Sequence, residues 1–171
     1  MNYSVQLEKE HSRSNTNKIT KAIGGDPNEF KKIVEIIYSG NPPLPQRASW
    51  LLATVSEKHP ELITPYVSTF IETISDFKID GIKRNMMHAL VGQTIPKKLQ
   101  GKLIDSCFEF ILSPKEAVAL KVHSIQVIAD LSKIYPELKV ELKAAIEDQL
   151  PKSSSAFSAR ARSIFKVESK K

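Results

Sequence analysis

Apolar residues recur along this chain at the spacing of one helix face. Leu62, Tyr66, Phe70 and Ile74 follow one another at intervals of four residues. Two later segments repeat that spacing, with Leu99, Leu103, Cys107 and Ile111 in one, and Leu138, Leu142, Ile146 and Leu150 in the other. Side chains four residues apart share a face of an α-helix, and no strand-like alternation of apolar and polar positions persists anywhere. The pattern predicts an all-α fold.

Three segments that precede these helices align with one another without gaps. Each places an alanine seven residues before a proline, in the pairs Ala53 and Pro60, Ala89 and Pro96, and Ala129 and Pro136. The offsets between copies are 36 and 40 residues, a period typical of helical repeats. Proline is tolerated at the first position of a helix, where its missing N–H needs no partner. We therefore expect each repeat to be an antiparallel helix pair, in which helix A ends near Lys58, Thr94 or Tyr135 and helix B begins at the following proline.

Breaker residues divide the remaining chain. The Gly24-Gly25 pair predicts the end of a helix over 14–23, and Asp26-Pro27 predicts the start of another that reaches about Ser39. Three prolines in the linker from Asn41 to Pro45 forbid a continuous helix. The predicted organisation is a single domain over 1–171, with a loose terminus over 1–13, a first helix pair over 14–40, repeats over 44–78, 80–113 and 114–150, and a terminal helix over 155–167.

Repeated helix pairs of this length resemble the HEAT and armadillo class of α-solenoid proteins over about residues 44–165. The chain is also similar to small stand-alone bacterial HEAT-like proteins, some of which carry the name adenylosuccinate lyase. The signature loop of that lyase, GSSxMPxKxN, is not matched by the nearest string, which runs from Pro151 to Phe157. The resemblance implies an α-α superhelix of about four antiparallel helix pairs, whose B helices form a concave surface for a protein partner.

Composition and charge narrow the function classes. The chain has 171 residues, of which 41% are hydrophobic and 26% charged, and its net charge is +6. Two segments carry the basic excess: 81–115 holds six basic residues against two acidic, and 151–171 holds six against one. No apolar run reaches the roughly 20 residues of a membrane span, and no signal peptide is visible, so the default expectation is a cytoplasmic protein.

Histidine and cysteine, which carry much of enzyme chemistry, are few and widely spaced in this chain. The four histidines, at 11, 59, 88 and 123, are too far apart in sequence to form a metal-binding pair on one helix, so we predict no metal or other cofactor. Cys107 is the only cysteine, which excludes an intrachain disulfide, and its place in an apolar column predicts a buried and inert thiol. These observations favour a non-enzymatic protein; a cleft holding a strongly perturbed acid–base pair would favour an enzyme instead.

Basic residues are the candidates for partner binding. They form a column thirteen residues before the repeat prolines (Arg47, Lys83 and His123), a cluster at the start of the second helix B (Lys97, Lys98 and Lys102), and a pair in the final helix (Arg160 and Arg162). Such charges can bind an acidic partner, or they can simply be solvated and keep the protein soluble. The leading hypothesis is protein binding by a monomer, or by a chain that self-associates weakly through an uncovered terminal face.

Nucleic-acid binding through a basic groove is the alternative function. HEAT-like folds include relatives of DNA glycosylases that hold duplex DNA in such a groove. Against this, Trp50 is the only tryptophan, aromatic residues make up 7% of the chain, and they do not alternate with basic positions as in a recognition motif.

Overall fold

The computed structural model of the protein describes residues 1–39 and 41–168. Over those residues it contains ten α-helices and no β-strand. The all-α fold class predicted from the apolar spacing is therefore confirmed. The helices form two compact units, Met1–Thr94 and Ile95–Lys171, which are called unit 1 and unit 2 below.

Unit 1 is built around one central helix, α4. Its helices are α1 (Tyr3–Lys9), α2 (Arg13–Ile23), α3 (Pro27–Ser39), α4 (Leu44–Lys58), α5 (Val67–Thr73) and α6 (Asp80–Leu90). Helices α1, α2, α3 and α6 all pack against α4. The centre of α4 is accordingly apolar and closed to solvent, with Leu51, Leu52 and Val55 fully buried. The predicted boundaries at Gly24 and Asp26 are confirmed: Gly24 has a φ of 52°, and the Asp26 carboxylate accepts a hydrogen bond of 2.8 Å from the Asn28 N–H.

The prediction of a loose terminus over 1–13 is wrong. Tyr3 and Leu7 of α1 are each only 3% exposed, and the Tyr3 hydroxyl donates a hydrogen bond to the Glu29 carboxylate on α3. Arg47 of α4 donates a hydrogen bond of 2.6 Å to the backbone carbonyl of Leu7. A helix of seven residues is too short to be stable alone, so these contacts with α3 and α4 hold it in place.

The second helix of the first repeat also differs from its prediction. Pro60 opens a 3₁₀ turn, Pro60–Leu62, which is followed by a second turn, Thr64–Tyr66, before α5 begins at Val67. The reason is Pro65, which has no N–H to donate to the carbonyl four residues earlier and so interrupts an α-helix that starts at Pro60. The chain forms tighter i→i+3 bonds instead, from Ile63 to Pro60 at 3.1 Å and from Tyr66 to Ile63 at 2.8 Å.

Unit 2 contains α7 (Lys97–Leu112), α8 (Val118–Leu131), α9 (Leu138–Gln149) and α10 (Ser155–Glu168), with a 3₁₀ turn at Leu150–Lys152. Helix α8 packs against α7, α9 and α10, and α7 packs against α9. Its interior is formed by side chains that solvent does not reach at all: Leu103, Cys107, Ile111, Leu120, Ile125, Ile128 and Phe157. Helices α7 and α9 begin one and two residues after Pro96 and Pro136, close to the predicted starts.

The first helices of the later repeats end earlier than the sequence suggested. Helix α6 ends at Leu90, and α8 ends at Leu131, four residues before Thr94 and Tyr135 respectively. After α6 the chain passes through Gly92, whose φ of 79° is a left-handed conformation that favours glycine and cannot continue an α-helix. After α8, the N–H groups of Lys133 and Ile134 bond to carbonyls three residues back, as in a tighter turn.

Candidate functional site

Three exposed lysines lie in the first two turns of α7. Lys97, Lys98 and Lys102 are all exposed, and Lys98 and Lys102 lie one helical turn apart on the same face. We call these three residues the lysine patch. No acidic residue occupies the first turn of α7, and Pro96 supplies no side-chain cap. Over the part of the chain that the structure describes, none of the three forms an ion pair, so their charges face solvent.

The column of Arg47, Lys83 and His123 is less accessible than the lysine patch. In unit 1, the Arg47 guanidinium donates hydrogen bonds to the carbonyls of Leu7 and Glu8, at 2.6 and 3.2 Å. Lys83 is only 8% exposed, and its Nζ lies 3.9 Å from Asp80 Oδ1. In unit 2, His123 is half-buried on α8. Arg47 and Lys83 therefore serve contacts inside their own unit, and a binding role for this column stays a prediction.

The two arginines of α10 have different surroundings. Arg160 is half-buried, and its guanidinium donates a hydrogen bond of 3.2 Å to the side-chain carbonyl of Gln126 on α8. Arg162 is exposed and lies on the rim of a groove between α9 and α10. Of this pair, only the guanidinium of Arg162 is therefore exposed to solvent and accessible to a partner.

The groove between α9 and α10 has a volume of about 550 Å³. Its apolar lining comes from Ile146 and Leu150 on one side and from Ala161 and Phe165 on the other. We call it the α9–α10 groove. Lys143, Glu147 and Arg162 add three charges to its lining, and Lys143 Nζ lies 3.9 Å from Glu147 Oε1. The arrangement is an open apolar channel with charged edges, and one side chain in it, Leu150, is 40% exposed.

Comparison with known protein families matches residues 3–167 to the HEAT repeat domain. The chain belongs to the HEAT repeat family. Its fold is thus of the all-α solenoid class that the repeated helix pairs predicted. The comparisons with curated proteins and with solved structures gave no match. HEAT repeats generally mediate protein–protein interactions, which agrees with the class of function expected from the sequence.

The single cysteine of this HEAT repeat protein lies in the core of unit 2. Cys107 is fully buried, and burial raises the pKa of its thiol far above the ordinary value, which a hydrogen bond with Ser124 only partly offsets. A thiolate is the reactive form of cysteine, so this environment suppresses nucleophilic chemistry. The prediction that the Cys107 thiol is buried is therefore confirmed.

Two of the four histidines, His59 and His88, lie beside carboxylates in unit 1. His88 Nε2 lies 3.2 Å from Glu57 Oε1, which joins α6 to α4, and His59 Nδ1 lies 3.2 Å from Glu61 Oε1. Within residues 1–39 and 41–168, no group of three or more His, Cys, Asp or Glu side chains is placed to hold a metal ion. Over the same residues, no helix is both long and apolar enough to cross a membrane.

The α9–α10 groove was not predicted from the sequence. Leu150 was predicted as the last core position of a helix B, yet its side chain is 40% exposed at the groove. The signal that could have identified the groove is a change between equivalent positions of two repeats: Ile104 and Phe108 of α7 correspond to Lys143 and Glu147 of α9. Charged residues at positions that are apolar in another repeat indicate a face that the protein itself does not cover.

Proposed function

We propose that this HEAT repeat protein is a non-enzymatic binding module that recognises an acidic surface of a protein partner, and that the lysine patch of α7 is the main contact. The single observation that carries the proposal is the position of these lysines. The N-terminus of a helix bears a partial positive charge, so cations in the first turn disfavour the helix by about 0.3–1 kcal/mol each at exposed sites. Lys97 and Lys98 occupy that turn without any acidic residue to offset them.

An anionic partner would relieve this unfavourable arrangement. Carboxylates placed at the start of α7 interact favourably both with the lysine ammonium groups and with the partial positive charge of the helix N-terminus. Residues that disfavour their own local structure are a feature of functional sites, because the compensating interaction comes from the ligand. The same charges give a partner with an acidic surface a faster association rate and a marked dependence on ionic strength.

The distribution of charge and exposed apolar residues supports unit 2 as the binding region. Unit 2 holds 14 basic residues against 9 acidic, whereas unit 1 holds 11 against 10. Large hydrophobic side chains that are exposed in unit 2 are Leu112, Val118, Ile134, Val140 and Leu150. Apolar contact area flanked by charges is the composition of many protein interfaces.

Affinity capture with two matched variants tests the proposal. The patch variant carries Lys98→Glu and Lys102→Glu, and the control carries Lys115→Glu and Lys133→Glu, which make the same change of charge at exposed positions of unit 2. Lysates are digested with nuclease first, and partners are then confirmed with purified proteins. We expect partners that bind the wild type and the control but not the patch variant. Equal capture by the patch variant and the wild type would contradict the proposal.

Nucleic-acid binding is the second candidate, and the exposed lysine patch is the observation that favours it. Phosphate backbones bind clusters of exposed lysine, with an affinity that falls steeply as salt rises. Trp50 gives this candidate little support, because its ring already packs against His11 at 4.9 Å between centroids. Titration with random duplex and single-stranded DNA over a salt series tests it, with a basic protein of equal net charge as the reference. Binding no tighter than the reference would exclude this second candidate.

A further inference from the structure

The α9–α10 groove is open because α10 packs against α8 and leaves one face of α9 uncovered. The groove positions on this side are Lys143, Ile146 and Glu147 of α9 and Leu150, which caps the helix; they follow the i, i+3, i+4, i+7 spacing of a single helix face. Three of these four residues are exposed, and only Ile146 is buried.

The equivalent face of α7, in contrast, is covered by other helices of unit 2. The corresponding residues there are Ile104, Cys107, Phe108 and Ile111, and none of the four is exposed. Helix α7 packs against both α8 and α9, so this part of unit 2 is covered by neighbouring helices. The α9–α10 groove is therefore a position that another α-helix could fill. We expect a helix of similar length to α7 and α9, which have 16 and 12 residues.

The charges around the groove favour a bound helix that carries acidic residues. Lys143 and Arg162 are both exposed at its edges, whereas Glu147 is the one acidic residue of the lining and lies 3.9 Å from Lys143. Residues 151–171, which include α10, hold six basic residues and one acidic residue. A second copy of this chain would bring the same excess of positive charge to the contact, which disfavours a symmetric pairing through this face.

We propose that the α9–α10 groove binds an amphipathic α-helix of a partner protein, with an apolar stripe that packs on Ile146, Leu150 and Phe165 and acidic residues that pair with Lys143 and Arg162. This inference rests on the proposed function, since it gives the binding module a second contact and specifies the structure of the partner segment there. An amphipathic helix that binds an apolar groove places its own apolar anchors at i, i+3, i+4 and i+7, so the apolar stripe of the partner helix should follow that spacing.

Two synthetic peptides test the inference with the full-length protein. Both have about 16 residues, a length taken from α7, and the same leucine stripe at helical spacing; one has glutamate and the other lysine beside the stripe. Binding is followed by fluorescence anisotropy. We expect the acidic peptide to bind at least about tenfold more tightly than the basic peptide, with a preference that shrinks as salt is raised.

Variants locate the binding site on the protein. Arg162→Glu and Leu150→Asp are each expected to weaken the acidic peptide about tenfold or more, because one removes an ion pair and the other an apolar anchor. The matched controls are Lys115→Glu, an equal charge change outside the groove, and Val140→Asp, an equal change from an apolar to an acidic side chain on α9, where Val140 is 75% exposed and outside the groove lining. Both controls should bind the peptide as the wild type does, and circular dichroism should show the same helix content in all variants.

The results separate this inference from the proposed function. If the two peptides bind equally, or neither binds, the inference is overturned. If Lys98→Glu with Lys102→Glu abolishes binding of the acidic peptide while Arg162→Glu does not, the contact is at the lysine patch, which overturns the groove as the site and keeps the proposed function. If the protein sediments as a dimer that Leu150→Asp dissociates, a second copy occupies the groove and the inference is wrong.

Discussion

The side-chain amide of Asn85 donates a hydrogen bond of 2.9 Å to the hydroxyl of Ser49, 36 residues earlier in the chain. That separation equals the offset between the first two repeats, so equivalent positions of successive first helices, α4 and α6, are in direct contact. Both residues are buried, at 5% and 0% exposure, and Ser49 in turn donates a hydrogen bond of 2.7 Å to the Gln46 carbonyl. A polar pair thus fixes the relative position of two helices in the interior of unit 1.

Removal of this polar pair should destabilise unit 1. In Asn85→Ala the buried Ser49 hydroxyl loses a donor and the amide leaves a small void, so we expect the free energy of unfolding to fall by about 1–2 kcal/mol. Urea denaturation followed by circular dichroism measures the change. The matched control is Asn28→Ala on α3, whose side chain is exposed, and which should change stability far less. Equal losses in the two variants would show that the buried bond contributes nothing specific.

The attachment of α1 should depend on Arg47. Its guanidinium bonds to the carbonyls of Leu7 and Glu8 near the end of α1, and these acceptors lose their partner in Arg47→Ala. We expect the backbone amides of α1 to exchange with deuterium about tenfold faster or more, since the local opening free energy falls by about 1.4 kcal/mol. Arg13→Ala, an exposed arginine at the start of α2, is the control and should leave exchange in α1 unchanged.

The acidity of Glu29 should depend on Tyr3. Hydrogen bonds from Lys32 and then from Tyr3 lower the pKa of the Glu29 carboxyl below its ordinary value. A carboxyl whose pKa is lower in the folded than in the unfolded chain stabilises the fold above its unfolded pKa, and this stabilisation is lost as the pH falls through the folded value. In Tyr3→Phe the pKa of Glu29 should therefore rise towards its value in the unfolded chain, so the stability lost on acidification should be smaller and its loss complete at a higher pH. Carboxyl-carbon NMR titration measures the pKa.

Tyr38→Phe is the control for this titration. Tyr38 is on α3 with Glu29, but its hydroxyl bonds to the hydroxyl of Thr73 at 2.7 Å and not to a carboxylate. This variant should leave the pKa of Glu29 as it is in the wild type. A Glu29 pKa that is unchanged in Tyr3→Phe would mean that the bond from Lys32 alone accounts for the lowered value.

The Cys107 thiol should be unreactive in the folded protein. Because burial raises its pKa and excludes solvent, we expect iodoacetamide to leave the native chain unmodified over a time in which the urea-unfolded chain reacts completely. Mass spectrometry counts the added groups. Ser14→Cys places a second thiol at an exposed position of α2 and should react once per native chain. Modification of Cys107 at the rate of this exposed thiol would show that the core of unit 2 opens readily.

Much of the fold could be predicted because its signals are local in sequence. The spacing from Leu99 to Ile111 predicted the buried face of α7, and the glycines after Ile23 predicted the end of α2. Proline at a helix start and glycine at a helix end act through their own backbone geometry, so neither needs a partner elsewhere in the chain. The repeat format, and with it the HEAT family, followed from these local features and their period.

The candidate site could be predicted only in part. The lysines of the patch were identified from their clustering, and they are exposed in the structure. Exposure itself was not predictable for the aligned column, in which Lys83 is buried against its own unit and Arg47 bonds to α1. A sequence column shows that positions are equivalent, but the neighbours at each position decide whether a side chain reaches solvent.

The sequence by itself determined that the chain is all-α, that α2, α3 and α4 stop near Ile23, Ser39 and Lys58, and that the helices repeat in pairs. The tertiary structure decided what depends on contacts between residues distant in the chain. It ordered α1 through Tyr3 and Arg47, it joined Ser49 to Asn85, and it left Leu150 exposed although its spacing matches the core positions of α7. The physical reason is that helix propensity and caps act over a few residues, whereas burial depends on which other helix, if any, packs against each face.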